Sequence, residues 1–416
     1  MTMTALAIAG CSQNEITEIR QDTNSAVGFS VYTGVPTRGK DVSNATMQGV
    51  SDATHYGGFG IMAYYTGSQT WDQMVANHPT DLKPTFMFNQ KVTYESGSSA
   101  WTYSPVKYWP NDTQAKVSFF AYAPYESSET GDRVGIVTSA KTDTGTPKIT
   151  FSLKPAAKLE EMVDLVVATA KDKSQTDDAI EFKFSHILSK IAFKAKLGAD
   201  YAGLDGTESF IYITHMWIVG STQTNSLSIL TPKLDANNKS KFYTKATWKD
   251  LKWDYTGATT AQEDYSLNSL MKMETDKITE IWDGSGGTET GEKQIAGIKL
   301  YNANGHKEVN LLKDDHFLYL IPVNETSATA SGHNGCGKDE VQIGFHYDIV
   351  TKTQDSSADS PKYLVSHMEN KVSLNEGHMK RNTKYTYTFT INLKEIKVTT
   401  AEVDLWGEDT GNFPMQ

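Results

Sequence analysis

The feature that most constrains this chain is a period of two in its apolar residues. In "AVGFSVYTG", Val27, Phe29 and Val31 share one face. In "GGFGIMAYYTG", Phe59, Ile61 and Ala63 oppose Met62 and Tyr64. "AKVSFFAYAPY" sets Val117, Phe119 and Ala121 against Phe120 and Tyr122. "DHFLYLIPV" and "KYTYTFTINL" repeat the alternation, the second with Tyr385, Tyr387, Phe389 and Ile391. Successive side chains of a strand point to opposite faces, and these runs end at Gly, Pro, Asn or Asp. The 20 tyrosines, 16 phenylalanines and 8 tryptophans suit a pleated surface. The pattern predicts an all-β protein made of sandwiches. Helical spacing is weak. "AKLEEMVDLVVATAK" reads as helix or strand, and "FSHILSKIAFKAKL" reads as a strand whose parity slips near Ser189.

A chain of 416 residues is too long for one ordinary core, which predicts two domains. The polar run "KDKSQTDDA", Lys171 to Ala179, marks the boundary between them. The first unit then covers 12–175, with its opening strand over about 26–34 and a loop over about 35–41. The second covers 176–393, and 394–416 forms a terminal segment. Long polar loops are expected at Glu126–Pro147, Asp235–Ser240, Asp283–Gly291 and Glu325–Asp339.

The net charge of −11 argues against nucleic acid, which needs a basic patch. No apolar run of membrane-spanning length is present. Neither a GxSxG elbow, a P-loop, an HExxH nor a CxxC motif occurs, so no catalytic residue, cofactor or metal is expected. His333 and Cys336 in "SGHNGCGKD" are two ligands where structural zinc needs four. Asp314 and Asp315 beside His316 read as a solvated turn. The aromatics Trp101, Tyr103, Tyr108, Trp109, Tyr122 and Tyr125 read as sandwich core, with a sugar-stacking face as the rival. That rival would make the chain a surface glycan-binding lipoprotein. A secreted glycosidase with spatially paired carboxylates is a further alternative.

The start of the chain carries its own signal. "LAIAGCSQNE" places small residues before Cys11 and polar ones after it, and resembles a bacterial lipobox, with lipid on the Cys11 thiol. The apolar stretch before it is short and has no lysine or arginine, which fits either a start lying upstream or a trimmed chain.

Beyond these readings, "SSAWTYSPVKYWPNDTQAKVSFFAYAPY" (Ser98 to Tyr125) resembles the fimbrillin family of Bacteroidales, the type V pilins. "DLVVATA" followed by "FKFSHILSKIAFKAKL", "TRGK" after the first strand, and the tail "IKVTTAEVDLW" are similar to that family too. The resemblance implies two transthyretin-like β-sandwich domains in tandem. It implies export as a lipoprotein precursor to the outer membrane, the lipid being its sole membrane contact. An arginine-specific or trypsin-like protease is then expected to cut after Arg38, with Arg20 as the alternative. The cut after Arg38 would remove the strand of Val27, Phe29 and Val31. The groove left behind would invite a replacement strand. The expected donor is the C-terminal segment, with Ile396 and Val398 on one face, Val403 and Leu405 on the other parity, a slip near Thr400, and Trp406 as anchor. For Ile396 and Val398 a final strand pairing within its own subunit is an equal alternative. The expected partners are further copies of the chain, anchor and tip pilins, and the protease, in a cell-surface fimbria serving adhesion.

Overall fold

The alternating runs fold as strands. The structure is a computed structural model that describes residues 25–33, 41–50, 56–127, 130–177, 179–201, 209–220, 242–279, 281–282, 292–300, 307–322, 341–353, 363–374, 379–392 and 396–406. The first strands are β1 (Phe29–Tyr32), β2 (Phe59–Gly67), β3 (Met87–Glu95), β4 (Ala100–Thr102), β5 (Lys116–Ala123), β6 (Ile136–Thr138), β7 (Lys148–Ser152) and β8 (Val166–Lys173). Next come β9 (Ile180–Lys183), β10 (Ser185–His186), β11 (Ser189–Leu197), β12 (Ser209–Ile218), β13 (Tyr243–Lys249), β14 (Lys252–Thr260), β15 (Tyr265–Ser266) and β16 (Glu274–Thr279). The chain ends with β17 (Ile281–Trp282), β18 (Glu292–Leu300), β19 (Val309–Asn310), β20 (Leu318–Leu320), β21 (Gln342–Lys352), β22 (Tyr363–Ser373), β23 (Thr383–Ile391) and β24 (Ile396–Leu405). The protein is all-β, as the alternation predicts.

Two cores account for most of the burial. The first lies between the six-stranded antiparallel sheet β10-β8-β5-β2-β3-β4 and the two-stranded pair β1-β9. It gathers Val27, Phe29, Phe59, Phe119, Phe182 and Phe184. The second joins the sheet β19-β11-β23-β24 to the sheet β16-β18-β12-β21-β22-β17. Phe345 of β21 meets Phe389 of β23 edge to face across that interface, with ring centroids 4.7 Å apart.

The two cores do not divide the chain at the polar run. β8 extends into it as far as Lys173. β9, which follows it, pairs with β1 in the first core. Phe184 is the last apolar residue in sequence of that core, and Ile187 follows in the second. The parity slip expected near Ser189 is a break between β10 and β11. A four-stranded sheet, β14-β13-β7-β6, packs on the second core although β6 and β7 precede the polar run, with Phe151 of β7 opposite Ala246 of β13.

The alternation does not announce the helices. α1 (Asn44–Met47) and α2 (Trp71–Asn77) each begin on a reciprocal capping box, Ser43 with Thr46 and Thr70 with Gln73. Trp71 of α2 packs on Tyr64 and Phe120, ring centroids 5.2 Å and 4.6 Å away. This covers the outer face of β2 and β5. Phe59, Ile61 and Ala63 therefore fill the first core, while Met62 and Tyr64 fill a satellite cluster beneath α2.

Candidate functional site

The first strand is inserted in the first core by alternate residues. Val27 and Phe29 are buried, Val31 is half-buried, and Ala26, Gly28 and Ser30 face water. Phe29 sits in an aromatic nest, with Tyr103, Phe182, Phe119 and Phe59 at centroid distances of 5.3, 5.6, 6.1 and 6.4 Å.

The backbone of β1 is held on two sides. β9 runs parallel to it, from Phe29 opposite Ile180 to Tyr32 opposite Lys183. On the other side, the Val27 amide donates to the Lys107 carbonyl at 2.9 Å, and Tyr103 Oη donates to the Val27 carbonyl at 2.8 Å. A four-residue strand with one short ladder gains little from its hydrogen bonds. Its apolar side chains contribute roughly 1.5–3 kcal/mol each and dominate.

After Thr33 the chain passes through residues 34–40, outside the described residues, and returns at Asp41. Both ends of this passage are pinned. The Asn44 amide donates to Thr33 Oγ1 at 2.8 Å. The sequence assigns Asp41 to the exposed cut loop, whereas it is 3% exposed. Its Oδ2 accepts from Lys190 Nζ at 2.5 Å and its Oδ1 from Tyr319 Oη at 2.8 Å. Next to it, Asp164 Oδ2 accepts from the Val42 amide at 3.0 Å and lies 2.6 Å from His186 Nδ1. Burial and then the neighbouring Asp164 push the Asp41 carboxyl above the ordinary carboxylate range. Burial pulls the Lys190 ammonium down and pushes the Tyr319 hydroxyl well up.

The same cluster receives the end of the C-terminal strand. β24 lies at the edge of its sheet and pairs antiparallel with β23, from Ile391 opposite Ile396 to Thr383 opposite Leu405. The pairing shifts between Thr386 and Thr388, which face Glu402 and Thr399. Two residues of β24, Thr400 and Ala401, thus stand against one of β23, a bulge that falls where the apolar parity changes. Ile396 is buried and Val398 half-buried, and Val403 and Leu405 hold register positions opposite Tyr385 and Thr383. Trp406 is buried, stacked on His186 at 4.2 Å and on Tyr319 at 5.4 Å between centroids. The C-terminal segment is therefore docked within its own subunit in this state.

Cys11, Arg20, Arg38, His333 and Cys336 lie outside the described residues. Of the candidate sugar-stacking aromatics, Trp109 and Tyr122 are buried, and Trp101 and Tyr103 pack on the first core. Tyr108 alone among them is more than half exposed, at 58%. Among the described residues no group of three or more His, Cys, Asp or Glu is placed to hold a metal. No described helix is long and apolar enough to cross a membrane.

The alternation conceals the buried cluster. Lys190 stands at the parity opposite Ile191 and Phe193, which assigns it to water. Asp41 closes a polar run. His186 and Asp164 carry no spacing that links them.

Comparison with known proteins agrees with this architecture. A family model described as fimbrillin-like matches residues 55–406. The chain is 33% identical over 423 residues to the fimbrium subunit Fim1C of Phocaeicola vulgatus, an alignment covering 99% of this chain and 96% of that protein. It is also similar to a crystal structure of a fimbrial protein from Bacteroides vulgatus, at 27% identity and a TM-score of 0.68, over 92% of this chain and 99% of that one.

Proposed function

The chain belongs to the fimbrillin-like family, and from that membership we propose that it is a structural subunit of a cell-surface fimbria, activated by loss of its first strand. The precursor is exported as a lipoprotein through Cys11. A trypsin-like or arginine-specific protease then cuts after Arg38, with Arg20 as the alternative. Cutting at Arg38 releases the lipid and the strand bearing Val27, Phe29 and Val31 together.

The observation that carries this reading is the position of Phe29. One short strand, with a single parallel partner, supplies a ring in the middle of the first core. Its removal leaves an apolar groove lined by Phe59, Tyr103, Phe119 and Phe182, with the edge of β9 open. The contributions forgone by Val27 and Phe29, roughly 1.5–3 kcal/mol each, with a smaller one from the half-buried Val31, are a large part of the net stability of a domain. An empty groove of that kind takes up another strand.

The donor is the C-terminal segment of the next subunit, Ile396, Val398, Val403, Leu405 and Trp406. β24 suits that role as an edge strand, paired on one side with β23. Donation then requires β24 to peel from β23 and Trp406 to leave its stack. Anchor and tip pilins bound the polymer at either end, and the fimbria serves adhesion.

The test is limited digestion of the full chain with an arginine-specific protease, which spares Lys40. The new N-terminus is identified and the products are run on a mild-detergent gel. Wild type should give a ladder with Gly39 at the new terminus, and Arg38→Ala should stay monomeric. Fibres from uncut chain would overturn the activation step.

A further inference from the structure

The buried pair Asp41 and Lys190 is placed for a reaction. We propose that Lys190 and Asp41 condense to an intramolecular amide, a covalent cross-link between the start of the segment after residue 40 and strand β11. The two side chains, 149 positions apart, already touch, with Nζ 2.5 Å from Oδ2. Their side chains are 1% and 2% exposed.

A sealed ion pair is costly, because both charges have lost their hydration. The cost falls when the proton moves from nitrogen to oxygen, and burial shifts both groups in that direction. That direction leads toward a neutral amine against a neutral carboxyl, which are the reacting forms. Tyr319 Oη, 2.8 Å from Oδ1, donates to the oxygen on which negative charge develops during attack. Asp164, held by the Val42 and Leu165 amides and beside His186, places a second carboxylate next to the pair and favours the neutral form of Asp41. The ring of Phe317 lies 3.9 Å from Nζ and that of Trp406 5.4 Å, which walls the site from water. Well-oriented intramolecular partners react at effective molarities reaching about 10⁵–10⁸ M.

The step balances without a co-reactant. The Nζ lone pair forms a bond to Cγ of Asp41, and the Cγ–Oδ2 bond breaks. Oδ2 leaves as water, carrying the carboxyl proton and one amine proton. Nothing is oxidised or reduced. If the chain is cut after Arg38, as in the reading above, the new terminus at Gly39 stays tied to β11 two residues later.

The test needs neither cleavage at Arg38 nor polymerisation. The full chain is purified, denatured, digested to completion with trypsin and examined by mass spectrometry. The expected product is the peptide starting at Asp41 joined to Phe184–Lys194, lighter than the two together by one water and uncut after Lys190. Lys190→Arg keeps a long basic side chain but offers no nucleophilic amine, and should give separate peptides and a lower melting temperature. Tyr319→Phe should slow formation of the link, followed over time in chain recovered unlinked from inclusion bodies and folded for the first time. Recovery of the two wild-type peptides unlinked and at full mass would overturn the proposal, whatever the variants do.

Discussion

The ring of Phe29 stacks on that of Phe182, with centroids 5.6 Å apart and planes inclined by 20°. This contact joins the strand that the proposed cleavage removes to the strand that stays. It predicts that Phe29 is a core residue of the uncut protein in energetic terms. Phe29→Ala should destabilise the first core by about 3–5 kcal/mol. Tyr32→Ala, in the same strand but 37% exposed, should cost at most about 0.5 kcal/mol. Urea unfolding of both variants checks this, and equal small losses would mean that β1 does not support the core.

The proposed exchange of β24 predicts a reversible block. Thr390 of β23 faces Lys397 of β24, and opposed residues of antiparallel strands lie within disulfide reach. Chain carrying Thr390→Cys and Lys397→Cys, oxidised, should be cut at Arg38 yet form no ladder. Reduction should restore assembly. Equal assembly in both redox states would place the donor beyond Lys397 or elsewhere.

Much of this fold is legible in the sequence because alternation is a local signal. The parity of Val27, Phe29 and Val31 matches their burial, and that of Phe59 and Met62 assigns them to opposite faces of β2. What is not legible is tertiary. No local pattern shows that α2 covers the outer face of that sheet, although Thr70 and Gln73 carry a capping box. Nor does the polar run at 171–179 reveal that β9, beyond it, returns to pair with β1. The buried Lys190 is hidden because its neighbours alternate correctly and its partner is 149 positions away.

A pH dependence follows from the pairing of β12 with β21 in the second core. The His215 ring lies 5.5 Å from that of His346, and its Nε2 is 3.1 Å from Ser266 Oγ. Burial first, and then His346, hold His215 below its ordinary 6.5, against the pull of Asp264. A depressed folded pKa contributes stability above the unfolded value, lost as pH falls through the folded one. The urea midpoint should therefore fall from about pH 7.5 to about pH 5, and His215→Asn should narrow the difference. An unchanged difference would mean that other groups set the acid sensitivity.

Strand exchange between subunits is the central claim, and mixed-isotope cross-linking tests it most directly. Lys107 and Lys183 flank the groove vacated by β1, and Lys397 lies on β24. Chains grown on ordinary and heavy nitrogen are mixed, cut at Arg38, assembled and treated with a short amine cross-linker. The account predicts links from Lys397 to Lys183 or Lys107 that join light to heavy chains, present in the polymer and absent before cutting. Polymers whose Lys397 links stay within single chains would contradict it.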